Sequence, residues 1–187
     1  MTDIMIDIET FGVGGNAAIV QIGAVVFGPK TAYIGAKHRR NVSLSSSILA
    51  GMDVDAKTIE WWRKQDPKAQ DELSRTTVTI HDALADLSSF IAYQASEAKN
   101  AVIWSKGTDF DISILKNAYS LCGLELPWKY NAARDVRTLV YTAELLGYES
   151  TFEIWNELPH DALRDCEAQV RQVYEAFKFL DERRKNL

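Results

Sequence analysis

Residues 4–12 read I-M-I-D-I-E-T-F-G and alternate between apolar and polar side chains over most of their length. Its isoleucines, at alternate positions, share one face of an extended strand, and Asp7 and Glu9 share the other face. β-Branched residues in this alternation are typical of a buried strand. Residues 4–10 are therefore predicted to form a strand that carries two carboxylates on one face, close to a core.

Burying Asp7 and Glu9 together is costly, because each carboxylate loses hydration and each raises the cost of ionising the other. Side chains two positions apart on a strand stand roughly 7 Å apart. Such a gap suits divalent cations, which two-metal sites hold about 3.5–4 Å apart. At this point an alternative stays open, namely that the two acids are solvated at a strand edge.

Length and composition predict one globular domain over residues 1–187, with 47% apolar and 25% charged residues. No apolar run approaches the length of a membrane span, and the acidic first residues do not resemble a signal peptide, so a cytoplasmic location is expected. Cys122 and Cys166 lie in apolar segments, which favours buried thiols in a reducing compartment over a disulfide.

The net charge of −5 argues against a protein that coats long nucleic acid, since that function needs a broad basic surface. The charge is compatible with an enzyme that grips the end of one strand. Two bound divalent cations would bring the net charge from −5 to −1. Part of the acidity would then belong to the metal site.

Hydrophobic periodicity predicts an α/β domain in which three early strands precede alternating helices and strands. The second strand is expected to run antiparallel to the first, because the connection is short. The predicted strands are residues 4–10, 18–27, 32–42, 101–104 and 130–133, and the predicted helices are residues 55–65, 79–94, 109–121, 135–146 and 161–180. The expected irregular segments are residues 43–51 and 149–157, with a frayed tail at 181–187.

Several charged and aromatic residues allow two interpretations. The basic run Lys37-His38-Arg39-Arg40 on the third strand favours a solvated edge over a nucleic-acid patch. On a helix, Trp61 and Trp62 point about 100° apart, so one can enter the core while the other stays near the surface. Trp62 is a candidate substrate contact, although both rings could simply pack. Thr79 and Asp82 resemble a capping box at the start of a structural helix.

Acidic residues recur at element ends further along the chain. Asp109 and Asp111 lie where a buried strand passes into a helix, and Asp165 follows His160 by five positions on the last helix. Each of these is unremarkable alone, because surface helices are rich in acids. Together with the two acids of the first strand, they form a set of carboxylates and one histidine.

This set resembles the DEDDh 3′–5′ exonucleases, the DnaQ-like group of the ribonuclease H-like superfamily. The first motif is Asp7-Ile8-Glu9-Thr10, the second is the Phe110-Asp111 pair that follows a strand and a glycine turn, and the third is His160-x4-Asp165. The order and spacing match over nearly the whole chain, and the bacterial and phage branch of exoribonuclease-like and prophage exonuclease proteins looks most similar. The resemblance implies a mixed central sheet, with three antiparallel strands and then parallel strands, flanked by helices.

The chain departs from the family pattern at one position and leaves a choice at another. Lys106 stands before the glycine of the second motif, where the family often has asparagine, and this departure bears on substrate contact without removing a metal ligand. The Phe110-Asp111 pair matches the family, so Asp111 is preferred to Asp109 as the ligand. Position 161 is Asp, which fits the histidine subgroup and not the tyrosine subgroup.

The resemblance implies a metal-dependent hydrolase that releases nucleoside 5′-monophosphates from the 3′ end of single-stranded DNA or RNA. Two Mg²⁺ ions, with Mn²⁺ able to substitute, suit a site of hard oxygen ligands. The implied metal ligands are Asp7, Glu9, Asp111 and Asp165. His160 is the implied general base, and an imidazole pKa near 6.5 suits that role.

Substrate contacts are expected beside the first motif. The backbone of Thr10, Phe11 and Gly12 is expected to meet the terminal nucleotide, and Phe11 either stacks on a base or packs inward as a turn residue. Arg134 or Arg137 is expected either to contact phosphate or to form a structural ion pair. A homodimer is also possible, because similar nucleases form them.

Two other classes of function compete with the exonuclease. One is a catalytically silent nucleic-acid or protein-interaction module on the same fold, but such a module has no need of buried like charges. The other is an endonuclease or integrase on a related fold, and the spacing of His160 and Asp165 favours the exonuclease over it.

Overall fold

The computed structural model describes residues 1–75, 77–149 and 160–185. Over these residues it contains a sheet of six strands: β1 (Thr2–Thr10), β2 (Ile19–Phe27), β3 (Ile34–Val42), β4 (Thr77–Val78), β5 (Ala101–Ser105) and β6 (Ala133–Asp135). Its helices are α1 (Leu44–Leu49), α2 (Ala56–Trp62), α3 (Pro67–Ser74), α4 (Ile80–Ala95), α5 (Asp111–Leu121), α6 (Val136–Glu144) and α7 (Ala162–Lys185), with a 3₁₀ turn at Ala98–Asn100.

The strands lie in the order β4-β3-β2-β1-β5-β6. β1, β2 and β3 are antiparallel neighbours, whereas β5 runs parallel to β1 and β6 parallel to β5. The prediction of three antiparallel strands followed by parallel strands is therefore confirmed. β4 adds a short parallel pair to the far side of β3.

The alternation in β1 divides the molecule into two cores. Ile4, Ile6 and Ile8 are at most 4% exposed and pack in the core that α4 and α5 cover. Met5, on the opposite face, packs with side chains of α6 and α7. Asp7 and Glu9 share the face of Met5, so the carboxylates of β1 lie on the side that α7 covers. The alternative of solvated acids fails for Glu9, which is only 8% exposed.

Several predicted boundaries shift by a few residues. β3 begins at Ile34 instead of residue 32, because the turn closed by Thr31 N–H on the Gly28 carbonyl continues through Ala32, which has a φ of +53°. α5 begins at Asp111 instead of residue 109, and β6 lies three residues later than expected. α2 and α6 are shorter than predicted, since a turn follows each of them.

The structure adds detail to two predictions about the charged segments. α7 continues to Lys185, so residues 181–185 are helical and not a frayed tail, with Asp181 paired to Lys30 at 3.5 Å. The basic run of β3 lies along a sheet edge, because β4 pairs only with Asn41 and Val42, and Lys37 is exposed, whereas His38 is 7% exposed. The lysine and both arginines of this run form ion pairs: Lys37 with Glu167, Arg39 with Glu72 and Asp161, and Arg40 with Asp86.

Other expectations have simpler outcomes. Thr79 caps α4 as predicted, with Asp82 N–H donating to Thr79 Oγ1 at 3.1 Å, and the Thr79 hydroxyl donates to Asp82 Oδ2 at 2.7 Å. Cys166 is buried and Cys122 half-buried, and both are free thiols. The connection predicted at 149–157 lies outside the described residues apart from residue 149. None of the helices in the described ranges combines the length and the apolar character that crossing a bilayer requires.

Candidate active site

Asp7 and Glu9 occupy the carboxyl-terminal half of β1, beyond the point where β1 pairs with β5. Burial raises the pKa of Asp7 well above its usual value, and repulsion from Asp111, Glu9 and Asp165 adds to that effect. Burial likewise raises the pKa of Glu9, helped by Asp165 and Asp111. In the absence of a cation, these four carboxylates therefore resist ionising together.

Asp111 enters the cluster because β5 ends early. β5 stops at Ser105, which leaves the Ile8 N–H of β1 without a strand partner, and Asp111 Oδ1 accepts it at 3.3 Å. Asp111 is 4% exposed, whereas Asp109 is exposed to solvent. Burial raises the pKa of Asp111 to about 7, although its backbone hydrogen bonds and Arg137 act in the opposite direction. The structure thus brings Asp111 to the carboxylates and leaves Asp109 outside.

The start of α7 supplies His160 and Asp165. Asp165 Oδ2 accepts the His160 backbone N–H at 3.0 Å, and the Asp165 N–H donates to the Asp161 carbonyl at 2.8 Å. His160 has a φ of +68°, a conformation that costs a residue with a side chain about 1–3 kcal/mol. The hydrogen bond to Asp165 holds this turn closed, so the histidine and the acid are fixed relative to each other.

β2 anchors the start of α7 through two contacts. A Cβ on Gly23 would lie 2.4 Å from the Ala162 carbonyl carbon, so only glycine allows the helix to approach the sheet this closely. Beside it, Gln21 Oε1 accepts the Ala162 N–H at 2.6 Å, and Gln21 Nε2 donates to Asn41 Oδ1 at 2.9 Å. Gln21 is fully buried, so its position is set by packing as well as by hydrogen bonds.

A buried ion pair adds a third anchor. Asp161 is 2% exposed, accepts the Arg164 N–H at 3.1 Å and pairs with Arg39 at 3.1 Å. Arg39 also pairs with Glu72 of α3 at 2.8 Å. The start of α7 is therefore bound to β2, β3 and α3 at once.

The result is a compact set of potential metal ligands. Ligand atoms of Glu9, His160 and Asp165 all lie within 4.8 Å of one another. Carboxylate oxygens are the ligands that Mg²⁺ and Mn²⁺ prefer, and burial together with mutual repulsion raises the pKa values of Asp7 and Glu9. The donor set, which is made mainly of carboxylate oxygens, thus fits hard divalent cations.

Gln169 is a site residue that the sequence analysis missed. Its Nε2 donates to Asp7 Oδ1 at 2.7 Å, and this bond lowers the pKa of Asp7 against the larger effect of burial. Its Oε1 is buried and has no hydrogen-bond partner among the described residues. Gln169 follows Asp165 by four positions, one turn along the same helix face, and that i, i+4 spacing was the available signal.

Next to Glu9 lies a largely apolar cavity of about 460 Å³. Its walls include Glu9, Thr10, Gly12, Trp61, Trp62 and Phe110. The Trp61 ring is 42% exposed, and it meets the His160 ring edge-on at 4.7 Å between centroids. Burial lowers the pKa of His160, which keeps its imidazole neutral at neutral pH.

One tryptophan of the pair is buried and the other lies near the surface, as the helical spacing predicted. Trp62 is 4% exposed and its Nε1 donates to the Thr10 carbonyl at 2.9 Å, so it also fixes the strand end after the first motif. Trp62 still lines the cavity, so its contact with substrate stays a prediction. Trp61 was named only as its neighbour, because a sequence cannot show which ring of the pair faces the site.

The other residues predicted to contact substrate lie in different parts of the structure. Thr10 is 6% exposed and its hydroxyl donates to the Gly12 carbonyl at 2.7 Å. Phe11 is half-buried against Trp62 and lines a second depression between α2 and α3. Arg134 donates to the carbonyls of Asn131 and Ala133 and borders a shallow hollow with Met1 and Lys99. The structure therefore does not bring Arg134 to the carboxylates.

A mixed sheet with clustered carboxylates over the end of its central strand defines a metal-dependent nuclease of the ribonuclease H-like fold. The model of the Rv2179c-like family, described as a 3′-5′ exoribonuclease domain, matches residues 2–177. The chain belongs to this family and is a 3′–5′ exonuclease.

The chain is also similar to other proteins over most of its length. An exodeoxyribonuclease of Enterobacteria phage T4 is 24% identical over 209 residues, which cover 96% of this chain and 90% of the relative. Among solved structures, apo Exonuclease I superposes with a TM-score of 0.66 and 14% identity, covering 97% of this chain and 44% of the other. Exonuclease I of E. coli in complex with a dT13 oligonucleotide superposes with a TM-score of 0.64 and 14% identity, covering 99% of this chain and 42% of the other. The chain spans less than half the length of these structures, and at such identity the likeness shows the fold.

Proposed function

We propose that this exonuclease removes nucleoside 5′-monophosphates one at a time from the 3′ end of single-stranded nucleic acid. The observation that carries this proposal is the convergence of Glu9, His160 and Asp165 within 4.8 Å, beside Asp7 and Asp111. In the proposal, Asp7, Glu9, Asp111 and Asp165 hold two Mg²⁺ ions, and Mn²⁺ can replace them. Bound there, the ions would lower the pKa of water and stabilise the charge of the leaving 3′ oxygen.

The chain supplies the general base and its orientation. His160 Nε2 or Nδ1 accepts the proton of the attacking water, and burial lowers its pKa so that the ring is neutral and able to accept at pH 7. The edge of the ring rests on Trp61, while the backbone of His160 is fixed by Asp165. Both contacts hold the base beside Glu9, so the side chain has little rotational freedom left to lose when substrate binds.

The apolar cavity beside Glu9 is the proposed site of the terminal nucleoside. Its volume of about 460 Å³ suits one base and its sugar, and Trp61 offers an exposed indole for stacking. A cavity for one unpaired base favours single strands over duplexes, because a paired base cannot enter it. The solved relative bound to dT13 is a single-strand complex, which supports the same preference.

RNA and DNA are both candidate substrates. The family description names exoribonuclease activity, whereas the phage relative is named an exodeoxyribonuclease. The test uses 5′-labelled single-stranded RNA and DNA of matched sequence, with Mg²⁺ and then Mn²⁺, and an Asp7→Asn variant as the control. A ladder of single-nucleotide steps from the 3′ end, absent with the control, supports the proposal, and the RNA-to-DNA ratio of kcat/KM identifies the substrate.

Two results would contradict the proposal. Internal cuts would indicate an endonuclease, and intact strands with correctly folded protein would favour a binding module. A homodimer stays a prediction that sedimentation can test separately.

A further inference from the structure

Two cationic side chains border the carboxylate cluster and have no role in the proposal so far. Lys106 directly follows β5, and Arg137 lies in the first turn of α6. Burial and then Arg137 lower the pKa of Lys106, while Asp165 and Asp7 act to raise it. Arg137 in turn lowers the pKa of Asp111. Each cation therefore interacts with members of the cluster and with the other cation.

The backbone around these cations is tightly constrained. Gly107 has a φ of +116°, and a Cβ there would lie 2.6 Å from Arg137 Nη1, so the guanidinium lies directly against the glycine. Asp135 Oδ2 accepts the N–H groups of Gly107 and Thr108, each at 3.0 Å, and Asp135 Oδ1 accepts the Thr138 N–H at 2.8 Å. The loop after β5 is thus bound to the start of α6, and Arg137 lies against Gly107, the residue that follows Lys106.

The net charge of the cluster suggests a role for Lys106 and Arg137. If all four carboxylates were ionised, they and the two cations would together carry two net negative charges. Two divalent ions would reverse this to two net positive charges. A phosphodiester carries one negative charge, and its hydrolysis passes through a state that carries about two, which donors fixed in advance stabilise most. The cations supply the charge that remains available to the substrate once the carboxylates are neutralised.

We propose that Lys106 and Arg137 form a binding subsite for the scissile phosphate. The inference rests on the proposed function and assigns a role to Lys106, the position at which this chain departs from the asparagine common in similar nucleases. Neither residue lines the tryptophan-walled cavity. Phosphate and nucleoside are therefore held by different parts of the site.

The test measures hydrolysis of a dinucleoside monophosphate, which has a single phosphodiester, beside that of a longer single strand. Lys106→Met keeps most of the side-chain length and removes the charge. We expect kcat/KM to fall about 10- to 100-fold on both substrates, as for a lost charged hydrogen bond. The slope of log kcat/KM against log salt should become shallower by about 0.7, the value for one phosphate contact on a single strand. Arg137→Met should act in the same direction.

Two matched controls separate this role from general charge effects. Lys99→Ala removes a lysine just before β5, at the opposite end of the strand from Lys106, where Lys99 pairs with Glu97. Arg184→Ala removes an exposed arginine near the end of α7. Both controls should keep the parent kcat/KM and salt slope, and Lys106→Arg should recover most of the activity.

Mn²⁺ affinity distinguishes phosphate binding from a structural role. Removing a cation beside the carboxylates should leave Mn²⁺ affinity unchanged or increased, whereas loss of a structural support should weaken it. The inference is overturned if Lys106→Met weakens Mn²⁺ binding, behaves like Lys99→Ala, or slows only the longer strand, since the last result would place the lysine at an upstream phosphate. If the parent protein itself cuts neither substrate, the proposed function fails instead.

Discussion

His160 combines an unusual backbone, an aromatic neighbour and a lowered pKa. Because burial places its pKa below the ordinary 6.5, activity should be constant near neutral pH and fall as the pH drops through that lower value. His160→Ala should reduce kcat by about 10²–10⁴-fold and abolish this acid limb, while Mn²⁺ binding is largely retained.

The matched control for this variant is His81→Ala, since His81 lies exposed on α4. It should leave both kcat and the pH profile unchanged. Near-parent turnover in His160→Ala would exclude the histidine as the base.

Gln169 is expected to influence metal binding through its hydrogen bond to Asp7. Gln169→Leu removes the hydrogen bond to Asp7 Oδ1, so the pKa of Asp7 should rise further and protons should compete better with metal. We expect Mn²⁺ affinity, measured by calorimetry, to fall several-fold at mildly acidic pH and to recover at pH 8, where proton competition is weak. An equal loss at both pH values would instead indicate a packing defect.

The residues found from sequence and those missed differ in kind. Asp7, Glu9, Asp111, His160 and Asp165 belong to short motifs whose spacing is fixed by one strand or one helix turn, and the structure brings all five together. The contact between Gln169 and Asp7 spans 162 residues in sequence, and it exists only because α7 crosses β1. Local patterns do not encode such a crossing.

At the scale of elements, the close contact between β2 and α7 determines where His160 and Asp165 lie. Gly23→Ala would place a methyl group against the Ala162 backbone, which would push the start of α7 away from the sheet. We expect a loss of at least about tenfold in kcat/KM, because a shift near 1 Å in a catalytic group can cost about 10²-fold.

Gly15→Ala is the control, because a Cβ at Gly15 meets nothing within 4 Å. Melting temperature, measured for both variants, separates displacement from unfolding. Unchanged kcat/KM in Gly23→Ala would show that the start of α7 can move without consequence.

The elements themselves were predictable where the periodicity was long. β1, β2, α4, α5 and α7 were found because each has an uninterrupted apolar face. Shorter elements were not found: α1 reads as a polar connection, and β4 has only two residues. α3 was missed although Asp66 caps it and Pro67 opens it, because its single buried residue, Ala69, gives almost no apolar pattern.

For the molecule as a whole, the cluster is a source of instability in the absence of metal. The folded state binds protons more tightly than the unfolded state wherever a carboxyl pKa is raised, so stability falls as pH rises from about 4 through the folded pKa, about 7 for Asp111. The metal-free protein in a chelator should therefore lose a few kcal/mol of unfolding free energy between these limits, at about 1.4 kcal/mol per unit of pKa shift.

Added Mn²⁺ should restore that free energy, and more at pH 7.5 than at pH 5. Denaturant unfolding at several pH values measures both effects. Asp7→Asn should flatten the pH dependence and reduce the gain from metal, since it removes one of the repelling charges. Stability that rises with pH in the chelator-treated protein would contradict this account of the cluster.

The edge-on contact between His160 and Trp61 gives the protein an optical signal of its own. A protonated imidazole quenches the fluorescence of an adjacent indole, and a neutral one does so far less. Among the tryptophans in the described ranges, Trp61 is the most exposed, at 42%, while Trp62, Trp104 and Trp128 are at most 7% exposed. Its emission should therefore lie to the red of the others, and its intensity should follow the protonation of His160, the proposed base, without any label.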